Sequence, residues 1–256
     1  MKFYVCIKQV PDVNAPLQIK EGHLIQDSDR NILNAYDASA VEEALVLTEK
    51  HGGEVEVVLI GSEKAKETLR KALAMGAHKG THILSDADET YDSYGYAQIL
   101  AAFFKDKEYD YISCGKQSQD TDAGLTGSML AEMLNLPYTT NAVGLVANGE
   151  SLVVKRQGDT GQEMIELPSP GLVTCSNDMN DPRIPSLKGI MQSKRKPVDT
   201  IAISDLSGSA SEAGAKTTIL AYEEKPEREP GKKFEGEPED IAREVARLLD
   251  TEANVI

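Results

Sequence analysis

The segment Gly115-Lys116-Gln117-Ser118-Gln119-Asp120-Thr121-Asp122-Ala123-Gly124-Leu125-Thr126-Gly127 has the composition of a ligand-holding loop. It follows the apolar run Tyr109–Cys114 and leads into a helical pattern. Glycines allow close backbone approach. The unpaired N–H groups of a helix start suit a phosphate, and Thr126 offers a hydroxyl donor. The alternative is an ordinary polar strand–helix loop, because one loop of this kind is a weak signal. Two other segments reach the same rim: Lys8-Gln9-Val10-Pro11-Asp12 and Asn34-Ala35-Tyr36-Asp37. Asp37 reads first as a helix N-cap. Lys116, Asp120 and Asp122 have the residue types of a metal-assisted ATP site, but no known motif orders them so.

Other chemistries lack their motifs. There is no Walker A sequence, GxSxG, HExxH or DFG set. His23, His51, His78 and His82 have no metal-like spacing and read as surface or strand-edge residues. Cys6, Cys114 and Cys175 are scattered, with no CxxC pair, which suits a reducing compartment rather than a zinc or iron–sulfur site.

A doubly wound sheet is the element pattern that would position these loops. Lys2–Val10, Glu54–Ile60, Gly80–Leu84 and Tyr109–Cys114 read as buried strands. Asp37–Lys50, a helix capped by Ser62 and closed by Gly76, Ser93–Lys105 and Leu125–Asn135 read as the helices between them. This alternation predicts an α/β fold, a mostly parallel Rossmann-like sheet with flanking helices, whose ligands sit beyond the carboxyl ends of the strands. Asn148-Gly149 between Ala142–Val146 and Ser151–Lys155 predicts a β-hairpin. Gly171–Ser176 and Val198–Ile203 read as further strands, with Pro182–Pro197 irregular. Residues 1–206 are expected to form the nucleotide-binding domain, and residues 207–256 an extended C-terminal arm. The Ser207–Asp240 stretch is too polar to pack alone; a helix with Ile241, Val245, Leu248 and Leu249 on one stripe follows it.

The 256 residues carry 42 acidic and 27 basic side chains, a formal charge of −15. That balance disfavours nucleic acid and anionic membrane surfaces. The N-terminal run is broken by Lys8 and Pro11. No leader or membrane span is expected, and the expected location is cytoplasmic.

Several motifs in fixed order resemble the electron-transfer flavoprotein β-subunit family. They are Val5–Asp12, Asn34–Asp37 with Ala40–Ala44, Glu67–Ala77, the Gly115-Lys116-Gln117 loop, Asp181–Leu187 with Ile190-Met191, and Pro226-x-Arg228-x-x-Gly231. The resemblance covers nearly the whole chain. It implies a non-catalytic electron-carrier subunit, paired with a larger α subunit that holds most of the redox FAD. It implies AMP in the β subunit, or a second FAD in electron-bifurcating members that react with NADH. Carried over, the nucleotide lies against Cys6, Asn34, Ala35, Tyr36, Asp37, Gly115, Lys116, Gln117, Asp120, Asp122, Ala123, Gly124, Leu125 and Thr126. Cys175–Pro197 corresponds to the loop that anchors acyl-CoA dehydrogenases, with Leu187 as the anchor and Ile190, Met191 and Arg195 beside it. A quinone-linked oxidoreductase is the implied downstream acceptor.

The chain has Gly124-Leu125-Thr126-Gly127 where many AMP-binding members have Asn-Gln-Thr-Gly and bifurcating ones tend toward Thr-Ala-Gln-Val-Gly. It keeps the Thr of the first type and lacks the Gln of both. Its compact length and Pro–Arg–Gly tail look more like the AMP type. An ATP-using enzyme or sensor is the reading from another class.

Overall fold

A computed structural model describes residues 1–16, 18–25, 30–86, 91–206, 213–226, 230–253 and 255. Arg228 and part of the Ser207–Asp240 arm lie outside the described residues. The chain divides into two units, Met1–Ala221 and Tyr222–Ile256.

The first unit is built on a nine-stranded sheet. In chain order its strands are β1 (Lys2–Ile7), β6 (Glu54–Gly61), β7 (Lys79–Leu84), β8 (Tyr111–Gly115), β9 (Tyr138–Asn148), β10 (Ser151–Gly158), β11 (Gly161–Pro168), β12 (Gly171–Cys175) and β13 (Val198–Ala202). Their spatial order is β11-β10-β9-β12-β8-β1-β6-β7-β13. All pairs from β9 to β13 across the centre are parallel, and β9–β10–β11 is an antiparallel extension. The short strands β2 (Gln9–Pro11), β3 (Gln18–Lys20), β4 (His23–Ile25) and β5 (Asn31–Leu33) form two small ribbons, β2–β5 and β3–β4.

Central strands are apolar on both faces because helices cover both. Phe3, Val5, Val57 and Leu59 pack under α1 (Ala35–His51) and α2 (Lys66–Met75), with Val41, Leu45, Leu69 and Leu73. Tyr4, Cys6, Val58 and Ile60 pack under α3 (Ser93–Phe104) and α4 (Thr126–Leu134), with Leu100, Phe103, Phe104 and Leu130. With no Trp in the chain, Tyr4 takes the large aromatic position, in edge contact with Phe103, Phe104 and Tyr109.

Several local expectations are corrected. The first strand does not run to Val10. It ends at Ile7, because the Lys8 amide bonds a side chain instead of a neighbouring strand, and Gln9–Pro11 joins the small ribbon with β5. Ser62 makes no side-chain cap. The hairpin forms, but its two loop residues are Gly149 and Glu150, since Asn148 pairs with Ser151. Pro182–Pro197 is not wholly irregular: α5 (Leu187–Ser193) lies within it, capped by the Ser186 hydroxyl, which accepts from Gly189 N at 3.1 Å. His82 is neither at the surface nor at an edge. It is fully buried in β7, between β6 and β13, with Nε2 3.0 Å from Gly61 O. The second unit contains α6 (Pro238–Thr251).

Candidate functional site

From β1 the chain moves outward through β6 to β7; β8 then returns to the other side of β1. The carboxyl ends of β1 and β8 therefore flank the point where the winding reverses, the usual ligand crevice of an open α/β sheet. Lys8 follows one strand and Lys116 the other.

Asp37 braces this point. Its Oδ2 accepts the Lys8 amide at 2.7 Å and its Oδ1 accepts the Gly115 amide at 2.8 Å. Any side chain at 115 would put a Cβ 2.4 Å from Asp37 Oδ1 and 2.6 Å from Tyr36 Cβ, so only glycine allows this approach. Burial raises the Asp37 pKa to about 7, against the opposing pull of the two amides. The expected capping role is thus corrected. Asp37 sits inside the first turn of α1, Asn34 holds the cap position, and the first helical amide, Ala35 N, donates to Gln119 Oε1 at 2.9 Å.

Asn34 ties the loop down from the other side. Its side chain is buried, Nδ2 donating to Gln117 O at 2.9 Å and Oδ1 accepting from Gln119 N at 3.1 Å. The loop is also bonded within itself: Gln117 to Asp122 at 3.0 Å, Ser118 N to Ala123 O at 3.0 Å, and the Ser118 and Thr121 hydroxyls at 2.8 Å. Asp122 takes the left-handed conformation, φ +54°. Lys8 Nζ pairs with Asp120 at 2.8 Å and lies over the Tyr96 ring. Lys116 Nζ lies over the Tyr36 ring at 5.7 Å. Leu125, exposed, precedes Thr126 at the start of α4, whose opening amides have no partner within the helix.

The residues expected to line the ligand site therefore meet at one rim. Cys6 pairs in register with Cys114, one strand end away from Gly115. Lys8 and Gln119 were missed as individual site residues. Both lie inside segments whose polarity pointed to the rim, but their partners, Asp120 and Ala35, are far away in sequence. The cysteines, scattered in sequence, come together in the fold. Cys175 bonds Ser113 Oγ at 3.3 Å beside Cys114, so the three scattered thiols gather on neighbouring strands β1, β8 and β12. All three are free and buried. No cluster of three or more metal-ligating side chains occurs among the described residues.

Leu187, Ile190, Met191 and Arg195 lie elsewhere, on and after α5, which packs on α2. Leu187 is 75% exposed and Met191 65%, with Ile184 at 92%. The segment before α5 is fastened to α1. Arg183 reaches Glu42 at 2.8 and 3.0 Å and Glu49 at 2.6 and 3.1 Å, and the Glu49 and Glu42 bonds raise the guanidinium pKa further.

A reversing parallel sheet with a stapled polar loop at its switch point defines a doubly wound α/β protein. Residues 22–206 match the profile of the electron transfer flavoprotein domain. The chain is 37% identical over 258 residues to the electron transfer flavoprotein subunit beta of Bacillus subtilis (strain 168), with 100% of both chains covered. That of Sus scrofa is 32% identical over 255 residues, covering 97% of this chain and 99% of its own. The caffeyl-CoA reductase-Etf complex subunit CarD of Acetobacterium woodii is 38% identical over 202 residues, 77% of each. The chain belongs to the electron transfer flavoprotein β-subunit family.

Proposed function

We propose that this chain is the small subunit of a heterodimeric electron carrier, which holds AMP structurally in the cradle and docks acyl-CoA or related dehydrogenases through α5. Its partner is an α subunit that carries most of the FAD. When bound, that flavin supplies the redox chemistry. This chain's residues bind, orient and dock. Electrons then pass to a quinone-linked oxidoreductase. The stretch 207–256 is the part assigned to the α subunit.

The observation that carries the reading is the cradle at the switch point. Its chemistry suits an adenylate. The opening amides of α4 and the Lys116 ammonium favour a phosphate, while Lys8 neutralises Asp120. A Cβ at Gly124 would meet Lys116 O at 3.0 Å, so a larger residue would push the loop's two ends apart. Against an ATP-hydrolysing role, Lys116 lies over Tyr36, Asp120 is paired with Lys8, and Asp122 accepts from Gln117.

Mass analysis of nucleotide released from the purified heterodimer tests this. One AMP and one FAD per heterodimer is the expected result. Two FAD would replace it with the electron-bifurcating reading, and no adenylate would overturn it. Gly124→Phe should empty the cradle and slow assembly; full nucleotide content in that variant would refute the loop assignment.

A further inference from the structure

The basic run Lys194-Arg195-Lys196 looks uniform in sequence, a patch for steering an acidic partner. The structure splits it. Lys194 and Arg195 are exposed, but Lys196 is half-buried and turned back onto α2. Its ammonium donates to Leu73 O at 2.9 Å, Gly76 O at 3.1 Å and Ala77 O at 2.7 Å. An ammonium has three donors. All three are used, so Lys196 has none left for a partner.

The acceptors matter as much as the donor. Leu73 lies in the last turn of α2, and Gly76 and Ala77 follow it directly. Leu73 O is one of the carbonyls a helix C-terminus leaves without partners, and Gly76 O and Ala77 O lie just past that partially negative end. The relationship is reciprocal. Arg70, on α2, donates Nη1 to Ser193 O, the last carbonyl of α5, and, at 2.9 Å, to Lys196 O three residues beyond it. Arg70 on α2 thus serves the end of α5, and Lys196, three residues past α5, serves the end of α2. Gly189 completes the seat: a Cβ there would lie 2.6 Å from Ala74 O, so α5 rests directly on the α2 backbone.

We infer that Lys196, in exchange with Arg70, is a positioning residue that fixes α5 on α2 with Leu187 and Met191 facing outward, and takes no part in electrostatic steering. The inference rests on the docking reading given above. A seven-residue helix with three prolines around it has little stability of its own. Its presentation of an apolar face depends on this tertiary exchange.

The test uses the intact heterodimer with Lys196→Met, Arg195→Glu and Leu187→Ala. Amide exchange of residues 186–193 is followed by mass spectrometry. Electron transfer from a purified, substrate-reduced acyl-CoA dehydrogenase is measured across a salt series. Lys196→Met should speed exchange in 186–193 and raise KM for the dehydrogenase by about tenfold, the size of a lost anchoring contact, with kcat and the salt slope unchanged. Arg195→Glu should change the salt slope and leave exchange as in the wild type. Gly189→Ala reaches the same end sterically and serves if Lys196→Met assembles poorly; it too should loosen α5 and raise KM.

Unchanged exchange in Lys196→Met, or a salt slope altered as in Arg195→Glu, overturns the inference. So does loosened exchange with a normal KM when Leu187→Ala raises KM. If Leu187→Ala itself has a normal KM, the docking reading fails, and amide exchange alone then decides whether Lys196 positions α5.

Discussion

Asp37 does three jobs with one carboxylate: it ends β1 at Lys8, fixes Gly115, and sits buried in the first turn of α1. Its folded pKa, about 7, is raised above the ordinary 3.8 by burial. The stability linked to its proton is complete below the unfolded value and is lost as pH rises through the folded one. Melting temperature of the heterodimer should therefore fall from about pH 4 to about pH 8, and Asp37→Asn should flatten part of that fall. Because the amide replaces one acceptor with a donor facing an N–H, the variant should also be less stable at every pH, by about 1–3 kcal/mol. A wild-type slope in Asp37→Asn would show that other groups set the dependence. Leu187 presents the opposite case, an apolar side chain three-quarters exposed with its backbone held by a capped helix. Leu187→Ala should weaken electron transfer from the dehydrogenase about tenfold or more, as ~1.4 kcal/mol would. Flavin content, nucleotide content and melting temperature should stay near wild type, since little of the side chain is buried. Normal transfer, or loss caused by dissociation of the heterodimer, would remove Leu187 from the docking role.

At the scale of elements, Asp92 joins two segments far apart in sequence. One oxygen caps α3, accepting from Tyr94 N and Gly95 N at 3.1 and 3.0 Å. The other accepts Lys216 N at 2.7 Å and the Thr217 amide and hydroxyl, both at 3.0 Å. Asp92→Ala should cost about 1–2 kcal/mol through the lost cap. It should also raise amide exchange across 213–221, read by mass spectrometry; protection there unchanged from wild type would mean that other contacts hold the segment. The elements also show what the sequence made legible. The central strands and α1–α4 follow from apolar periodicity, a local signal that burial on both faces makes strong. β11 went unread because Gly161–Pro168 is mostly exposed and has little apolar alternation; its partner β10 defines it. α5 is hidden by its prolines and Gly189, and exists through Ser186 and the exchange with α2. The segments that meet at the switch point were legible from residue type and place in the chain. The fastenings were not: Asn34 to Gln117 and Gln119, Gln119 to Ala35 and Lys8 to Asp120 each span 83 or more residues, beyond any local pattern.

At the scale of the whole molecule, the unit Tyr222–Ile256 has a helix with one apolar stripe but no buried residue on it. Phe234, Val245, Leu248 and Leu249 line a shallow apolar cleft within that unit. A chain truncated after Ala221 should keep its fold, because the nine-stranded sheet and both helical layers lie before that point. It should lose stable association with the α subunit, measured by sedimentation; full-affinity assembly of the truncated chain would move the α-binding surface elsewhere.

The gathering of Cys6, Cys114 and Cys175 on adjacent strands has a practical consequence. A protein without Trp lacks the usual intrinsic fluorophore, but here three silent sulfhydryls lie on the strands that frame the crevice. Burial pushes all three pKa values up, that of Cys175 to about 12, so none presents the thiolate that attacks a disulfide reagent. A chromogenic thiol reagent should therefore register none of them in the native protein and all three after denaturation. Their slow appearance under native conditions would time the parting of β1, β8 and β12, strand by strand if single-cysteine variants are used. Under the proposed function, saturating adenylate should lengthen that delay, since a ligand seated at the strand ends would have to leave before they separate. Labelling at an unchanged rate would mean that the sheet opens without disturbing the crevice.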